Sequence, residues 1–286
     1  MGDRVAVVVS RWYADDPSRR ALEESVEAAL AGRADVELTI VPDLYDLAPD
    51  GPAIGRLRSI VGDMIVLAWG YPRSAFWILS SDGVVGRLAM GSPLEERRDA
   101  APGRTIWCLD LGSFDSPQSI ALEVGRIAAA VRKSSGEAAE RATVVPAVRV
   151  DEAVESRWYP LIDWDRCTNC LECLNFCLFG VFASDESDSL VIEEPDACRD
   201  GCPACSRICP AGAIMFPRHA DPSIAGDPEA SLAGLKLDLS QLFSGLDPAS
   251  LATGERDRAL IEKPLGKPPS NTNLDQLIDE IDDMEL

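Results

Sequence analysis

The sequence predicts an α/β domain, then a small cysteine-rich domain, then a largely disordered acidic tail. Three features of the 286-residue chain lead there. β-Branched runs alternate with amphipathic stretches over residues 1–133. Eight of the nine cysteines crowd into residues 167–209, and negative charge is densest at the end. The 46% hydrophobic content is sufficient for a buried core.

Residues 4–10 (RVAVVVS) form a β-branched run bounded by charge, the pattern of a strand buried on both faces. Pro17–Ala31 follows with Leu22, Val26, Ala29 and Leu30 at helical spacing. Its proline near the start and Gly32 past the end suit the two helix boundaries. Val36–Val41 is a second strand, 53–61 a short helix, 64–69 a third strand, 105–109 a fourth strand and 119–132 a closing helix. Residues 73–90 fit a helix and a hairpin equally. Strands alternating with helices call for a parallel sheet covered on both faces, and a flavodoxin-like open sheet is the expected arrangement.

In such sheets ligands sit outside the carboxyl ends of the strands. Those ends carry Arg11, Trp12, Trp69, Tyr71 and Arg73. The first turn holds Asp15 and Asp16 and no glycine-rich cradle, so phosphate is repelled, and FMN or a dinucleotide is not expected there. Two readings of the five residues stay open: an edge that binds a small ligand or a partner protein, or Trp12, Trp69 and Tyr71 closing the end of the core with Arg11 and Arg73 solvated. Cys108, in mid-strand, is expected to be buried and apolar-like.

Residues 134–157 read as a linker with room for one short strand. The cysteines follow as Cys167-x2-Cys170-x2-Cys173-x3-Cys177 and Cys198-x3-Cys202-x2-Cys205-x3-Cys209-Pro210. A disulfide framework belongs to secreted chains. Residues 1–10, with an acid at position 3 and a short apolar run, are not expected to be a secretory signal. Tetrahedral zinc usually takes paired cysteines from separate hairpins. Four thiols within twelve residues or fewer, twice over, suit two iron–sulfur clusters instead.

On these residues the segment 158–218 resembles a bacterial-type two-cluster [4Fe–4S] ferredoxin domain, an α+β dicluster fold. In that family the fourth cysteine of each run ligates the other cluster. The resemblance implies Cys167, Cys170, Cys173 and Cys209 around one cluster, and Cys198, Cys202, Cys205 and Cys177 around the second. It also fits a hairpin of 180–184 with 190–192 and a strand at 213–216. Two departures stand out. Leu178 occupies the place of a proline common after the first run, and three residues separate Cys198 from Cys202 where two are usual. The extra residue lies in Arg199-Asp200-Gly201, where Gly201 can take the positive φ of a widened loop. Such a change would re-aim backbone N–H groups at the sulfurs and so alter the second cluster's potential. His219, the lone histidine, leaves too few imidazoles for a Rieske centre and is expected on the surface.

Net charge is −6 over residues 1–160, −6 over 161–218 and −9 over 219–286. Residues 219–286 are expected to form a flexible acidic tail, with a semi-extended linker at 264–270 (PLGKPPS). At its end, Leu274, Leu277, Ile278, Ile281 and Met284 recur at helical spacing among six acids and no base. So short a helix is marginal in water. This docking segment is therefore expected to fold on a partner's groove, the alternatives being that it docks back on its own protein or remains a solubilising tail.

These features predict a cytoplasmic electron-transfer protein that exchanges electrons with a redox enzyme through two [4Fe–4S] clusters. One histidine and no paired acid and base argue against independent catalysis. The alternatives are a reductase, whose α/β domain binds a small substrate or cofactor fed by the clusters, and a redox-sensing scaffold. No apolar run is long enough to span a bilayer. At a net charge of −21 without a basic patch, nucleic acid is not an expected partner. Acidic surface instead steers the chain towards a basic redox partner.

Overall fold

A computed structural model describes residues 4–89, 103–135, 143–230 and 248–262. Its first part is a six-stranded sheet of β1 (Val5–Ser10), β2 (Val36–Val41), β3 (Met64–Ala68), β4 (Arg87–Leu88), β5 (Thr105–Asp110) and β6 (Val148–Arg149). The spatial order is β4-β5-β3-β1-β2-β6, and every pairing is parallel. Val5–Ser10 run opposite Val36–Val41 residue for residue, and Ala6–Val9 opposite Met64–Leu67. β6 is the short strand expected between the domains, and it lengthens the sheet beside β2.

Side chains of a strand alternate between faces, so β1 serves two cores. Val5, Val7 and Val9 pack with α1 (Pro17–Ala31) and a second long helix, whose Ile120, Val124 and Ile127 complete that layer. Val8 packs on the other side with Ile54 and Leu57 of α2 (Pro52–Ser59) and with Phe76 and Leu79 of α3 (Pro72–Ser81). The long helix of the first layer is α4 (Pro117–Ser135). Asp16 caps α1 by accepting the N–H groups of Ser18 and Arg19, and Pro17 supplies the helical φ of the first turn.

α3 resolves the ambiguity at 73–90 in favour of a helix followed by a short strand. Arg73–Leu79 are all buried, because the helix is covered on its outer side as well. The cover is the cysteine-rich part of the chain. Tyr159, Leu161 and Met215 belong to the same core as α3, α2 and the sheet.

That second part contains β7 (Leu161–Ile162) antiparallel to β10 (Ile214–Met215), and a hairpin of β8 (Phe182–Ser184) with β9 (Leu190–Ile192). Two short helices, α5 (Glu172–Phe176) and α6 (Ala204–Ile208), each lie within a cysteine run, between its second and fourth cysteines. A separate core of Ile162, Val181, Phe182, Leu190, Ile214, Phe216 and Ile224 lies between them. The expected hairpin and strand thus form, shorter by a residue or two at their ends.

The stretch expected as a flexible tail begins with ordered structure. α7 (Pro222–Ala225) is capped by Asp221, buries Ile224 and Ala225, and returns its Ile224 carbonyl to the Phe216 N–H at 2.8 Å. Gly226, at φ +110°, passes so close to Ser74 Oγ that a Cβ would lie 2.0 Å from it. Further on, α8 (Pro248–Glu262) packs against α6, with Ala252 fully buried beside Cys202 and Ala204. These segments are held by long-range contacts with Ser74 and the cysteine domain, which local composition does not reveal. The docking segment Leu274, Leu277, Ile278, Ile281 and Met284 lies outside the described residues.

Candidate metal centre

Each cysteine run is shaped by unusual backbone. In the first, Asn169 and Leu171 take φ of +55° and +60°, a left-handed conformation that costs energy for residues with a Cβ. Asn169 secures its position through both ends of its amide. Its Oδ1 accepts the Leu190 N–H at 2.8 Å and its Nδ2 donates to the Asp188 carbonyl at 2.9 Å, fastening the loop to the hairpin. The one-turn α5 then carries Cys173, and Cys177 leaves it in extended conformation.

In the second run the widened spacing is absorbed at Gly201, whose φ of +78° turns the chain so that the Cys202 N–H reaches the Arg199 carbonyl at 3.0 Å. α6 carries Cys205, and Cys209 follows in extended conformation. The Ala213 N–H points at Cys209 Sγ, 3.3 Å away.

The thiols gather into two pockets. Cys167, Cys170, Cys173 and Cys209 line one, together with Ile162, Leu190 and Ile214. Cys177, Cys198, Cys202 and Cys205 line the other, with Phe176, Phe179 and Phe182. In each pocket three cysteines come from one run and the fourth from the other. Among the described residues no three His, Cys, Asp or Glu side chains converge closely enough to hold a single metal ion.

The donors are costly to leave as neighbouring thiolates without a cation. Burial raises the Cys173 thiol to about 12, and the nearby Cys209, Cys167 and Cys170 add to the effect. Cys205 and Cys198 are likewise raised, by burial first and by the other cysteines of their own pocket next. A polynuclear iron group bound by four thiolates suits these pockets, because its positive metal ions offset the charge that apolar walls disfavour.

The sheet edge is arranged differently from the sequence expectation. Trp12 and Trp69 meet edge to face at 6.3 Å, and the Arg19 guanidinium lies over both rings. The fully buried Glu23 accepts the Trp12 N–H, Trp69 Nε1–H and an Arg20 N–H. Arg11 is taken up by Glu27 at 3.0 Å, and Tyr71 lines a small pocket with Trp12 and Trp69. Arg73 is buried on the opposite side of the helix start, paired with Asp163. The five residues therefore do not converge.

That same small pocket, at the carboxyl ends of β1 and β3 (Ser10 and Ala68), is lined as well by Pro217 and Arg218 of the cysteine domain. Arg218 reaches Asp46 at 2.6 Å and Asp43 at 3.3 Å, and stacks on Tyr13. Burial raises the Asp43 carboxyl to about 6 despite the opposing pull of Arg218. His219 is not a plain surface residue: it is half-buried near Trp158, and its Nδ1 accepts the Asp221 N–H. Cys108 is buried in β5, as expected, and burial pushes its thiol far up.

Sequence reasoning missed Asp163, Arg218 and Arg256. The first two join the domains, and Arg256 lines the second cysteine pocket from α8. None carries a local signal, since each acquires its role from a distant partner.

Among the described residues no helix is long and apolar enough to cross a membrane. No protein-family model matches the chain. Over 66 residues, 23% of its length, the chain is 42% identical to an uncharacterized ferredoxin of Methanocaldococcus jannaschii. The matched part is 44% of that protein, so the chain spans under half the length of this curated relative. The chain contains a ferredoxin-like segment.

Proposed function

We propose that the protein is an electron carrier whose ferredoxin-like segment holds two [4Fe–4S] clusters and exchanges electrons with a redox enzyme. The observation that carries this reading is the pair of four-cysteine pockets, each completed by a cysteine from the other run. That crossing matches the ligand pattern of two-cluster ferredoxins, and the ferredoxin relative supports it. Bound there, the clusters supply reversible one-electron chemistry. The protein's own part is to present Cys167, Cys170, Cys173 and Cys209 at one site and Cys177, Cys198, Cys202 and Cys205 at the other. Ile162, Val181, Phe182 and Ile214 pack between the runs and limit water at both.

The net charge of −21 favours a partner with a basic docking face, and the stripe Leu274, Leu277, Ile278, Ile281 and Met284 is the proposed address for it. Anaerobic titration with a chemical reductant tests the carrier reading. Uptake of about two electrons per chain, one per cluster, supports it. Uptake of none rejects it. Association with a candidate redox enzyme should weaken with added salt and with removal of residues 271–286.

A second reading, a reductase, is favoured by one observation. A cavity of about 770 Å³ lies where the two parts of the chain meet, lined by Arg73, Trp77, Trp107, Arg126, Asp163 and Arg166. This is within the size of small-molecule sites, and Arg166 directly precedes Cys167. A bound metabolite or chromophore released from anaerobically purified protein would favour the reductase; a spectrum of clusters alone would favour the carrier.

A further inference from the structure

The two cysteine pockets differ in charge. Around Cys167, Cys170, Cys173 and Cys209 the charged lining residue among those described is Glu172, and Arg73, outside the lining, also acts on Cys209. Around Cys177, Cys198, Cys202 and Cys205 the charged lining residue is Arg256. Arg256 comes from α8, a helix outside the ferredoxin-like pattern of two cysteine runs. Ala252 and Ala259 of α8 join Cys202, Ala204, Phe176 and Phe179 in a small apolar cluster, which seats the helix over this pocket. The Arg256 guanidinium then lies over the Phe176 ring at 4.6 Å, with Nη1 3.5 Å from the Phe176 carbonyl and the side chain only 18% exposed.

The charges around Arg256 offset part of its positive field towards the pocket, and Glu255 acts on Cys202 in the opposite sense. Glu255 is bound to Arg207 at 3.2 Å, and Arg207 also holds Asp221 at 2.7 Å. Asp257 pairs with Arg256 at 3.0 Å, but its carboxylate is half-exposed to water, where screening weakens it. Asp200, near Cys198, acts in the opposite sense to Arg256 from the other side of the pocket. An added electron makes a cluster more negative, so a fixed cation at low exposure favours the reduced form.

We propose that Arg256, carried by α8, raises the reduction potential of the second cluster above the value this site has without it, and so favours an electron resting there. In transfer between the sites, the electron lost at one is gained at the other, and no further reactant is needed. This inference rests on the two-cluster reading.

The test is an anaerobic redox titration of the full-length, cluster-loaded protein, followed by electron paramagnetic resonance. Arg256→Gln should lower one midpoint and leave the other in place. Arg256→Lys should retain most of the wild-type separation, and Asp257→Asn should raise the same midpoint that Arg256→Gln lowers. Detachment of α8 cannot explain that last, upward shift, so the set separates charge from packing. The proposal is overturned if Arg256→Gln leaves both midpoints unchanged or moves them together, or if Asp257→Asn moves the midpoint downward. A preparation lacking two clusters is a different failure, visible in iron content before titration, and removes the carrier reading along with the proposal.

Discussion

Arg73 Nε donates to Asp163 Oδ2 at 2.6 Å, and both side chains are less than a tenth exposed. The pair joins the first turn of α3 to the turn that delivers Cys167, whose N–H is held by the Asp163 carbonyl at 3.0 Å. Arg73 also donates to the Gly212 carbonyl at 2.8 Å, beside the turn after Cys209. Two cysteines of the first pocket are thereby tied to the α/β sheet through one guanidinium.

Removing one partner of a buried pair strands the other. Arg73→Met should therefore destabilise the protein by about 3–5 kcal/mol, read as a shift in the urea midpoint at pH 7. A shift indistinguishable from zero would show that the two parts fold independently of this contact.

Asp82 gives a pH dependence with a definite sign. Burial raises its carboxyl to about 6 from the ordinary 3.8, against the pull of Arg157 and Arg58. It also sits at the carboxyl end of α3, where a negative charge opposes the helix dipole. Between about pH 4 and 6 the folded state thus binds the proton more tightly than the unfolded state. The stabilising contribution is full below that window and is lost as pH rises through it. Asp82→Asn should raise stability at pH 7 by about 1–2 kcal/mol, after allowance for screening, and should give no gain at pH 4. Denaturation of both proteins across this range measures it.

Arg218 plugs the sheet edge by holding Asp43 and Asp46 at once. Arg218→Ala should leave two buried carboxylates without their cation and cost about 3–5 kcal/mol. Protection of the Ser10 and Leu44 amides against hydrogen exchange should fall with it. Unchanged protection at these amides would mean that the edge is closed without Arg218.

Cys108 is separate from the metal pockets. Cys108→Ala should leave iron content unchanged and cost about 1 kcal/mol by opening a small void in β5. Cys202→Ala should instead abolish one cluster's signal and leave the other. Loss of iron from Cys108→Ala would place this ninth cysteine among the ligands.

What was legible in the sequence was local. The β-branched runs at β1 and β2, and the capped, periodic α1, follow from neighbours in the chain, and their bounds agree with the structure to within a residue. α3 was ambiguous because Arg73–Leu79 are covered on all sides, which erases the polar stripe that marks a surface helix. α7 and α8 escaped notice because they are held by Ser74 and by α6, partners far away in sequence. The cysteine sets could be inferred from spacing and family pattern. The asymmetry of their surroundings could not, since Arg256 is linked to its pocket only by the fold.

The most direct measurement is iron and acid-labile sulfide per chain in anaerobically purified protein, with metal identity by mass spectrometry. Two cubane clusters require about eight of each. A content near one or two zinc ions without sulfide would contradict the account, and the paired pockets would then be structural metal sites.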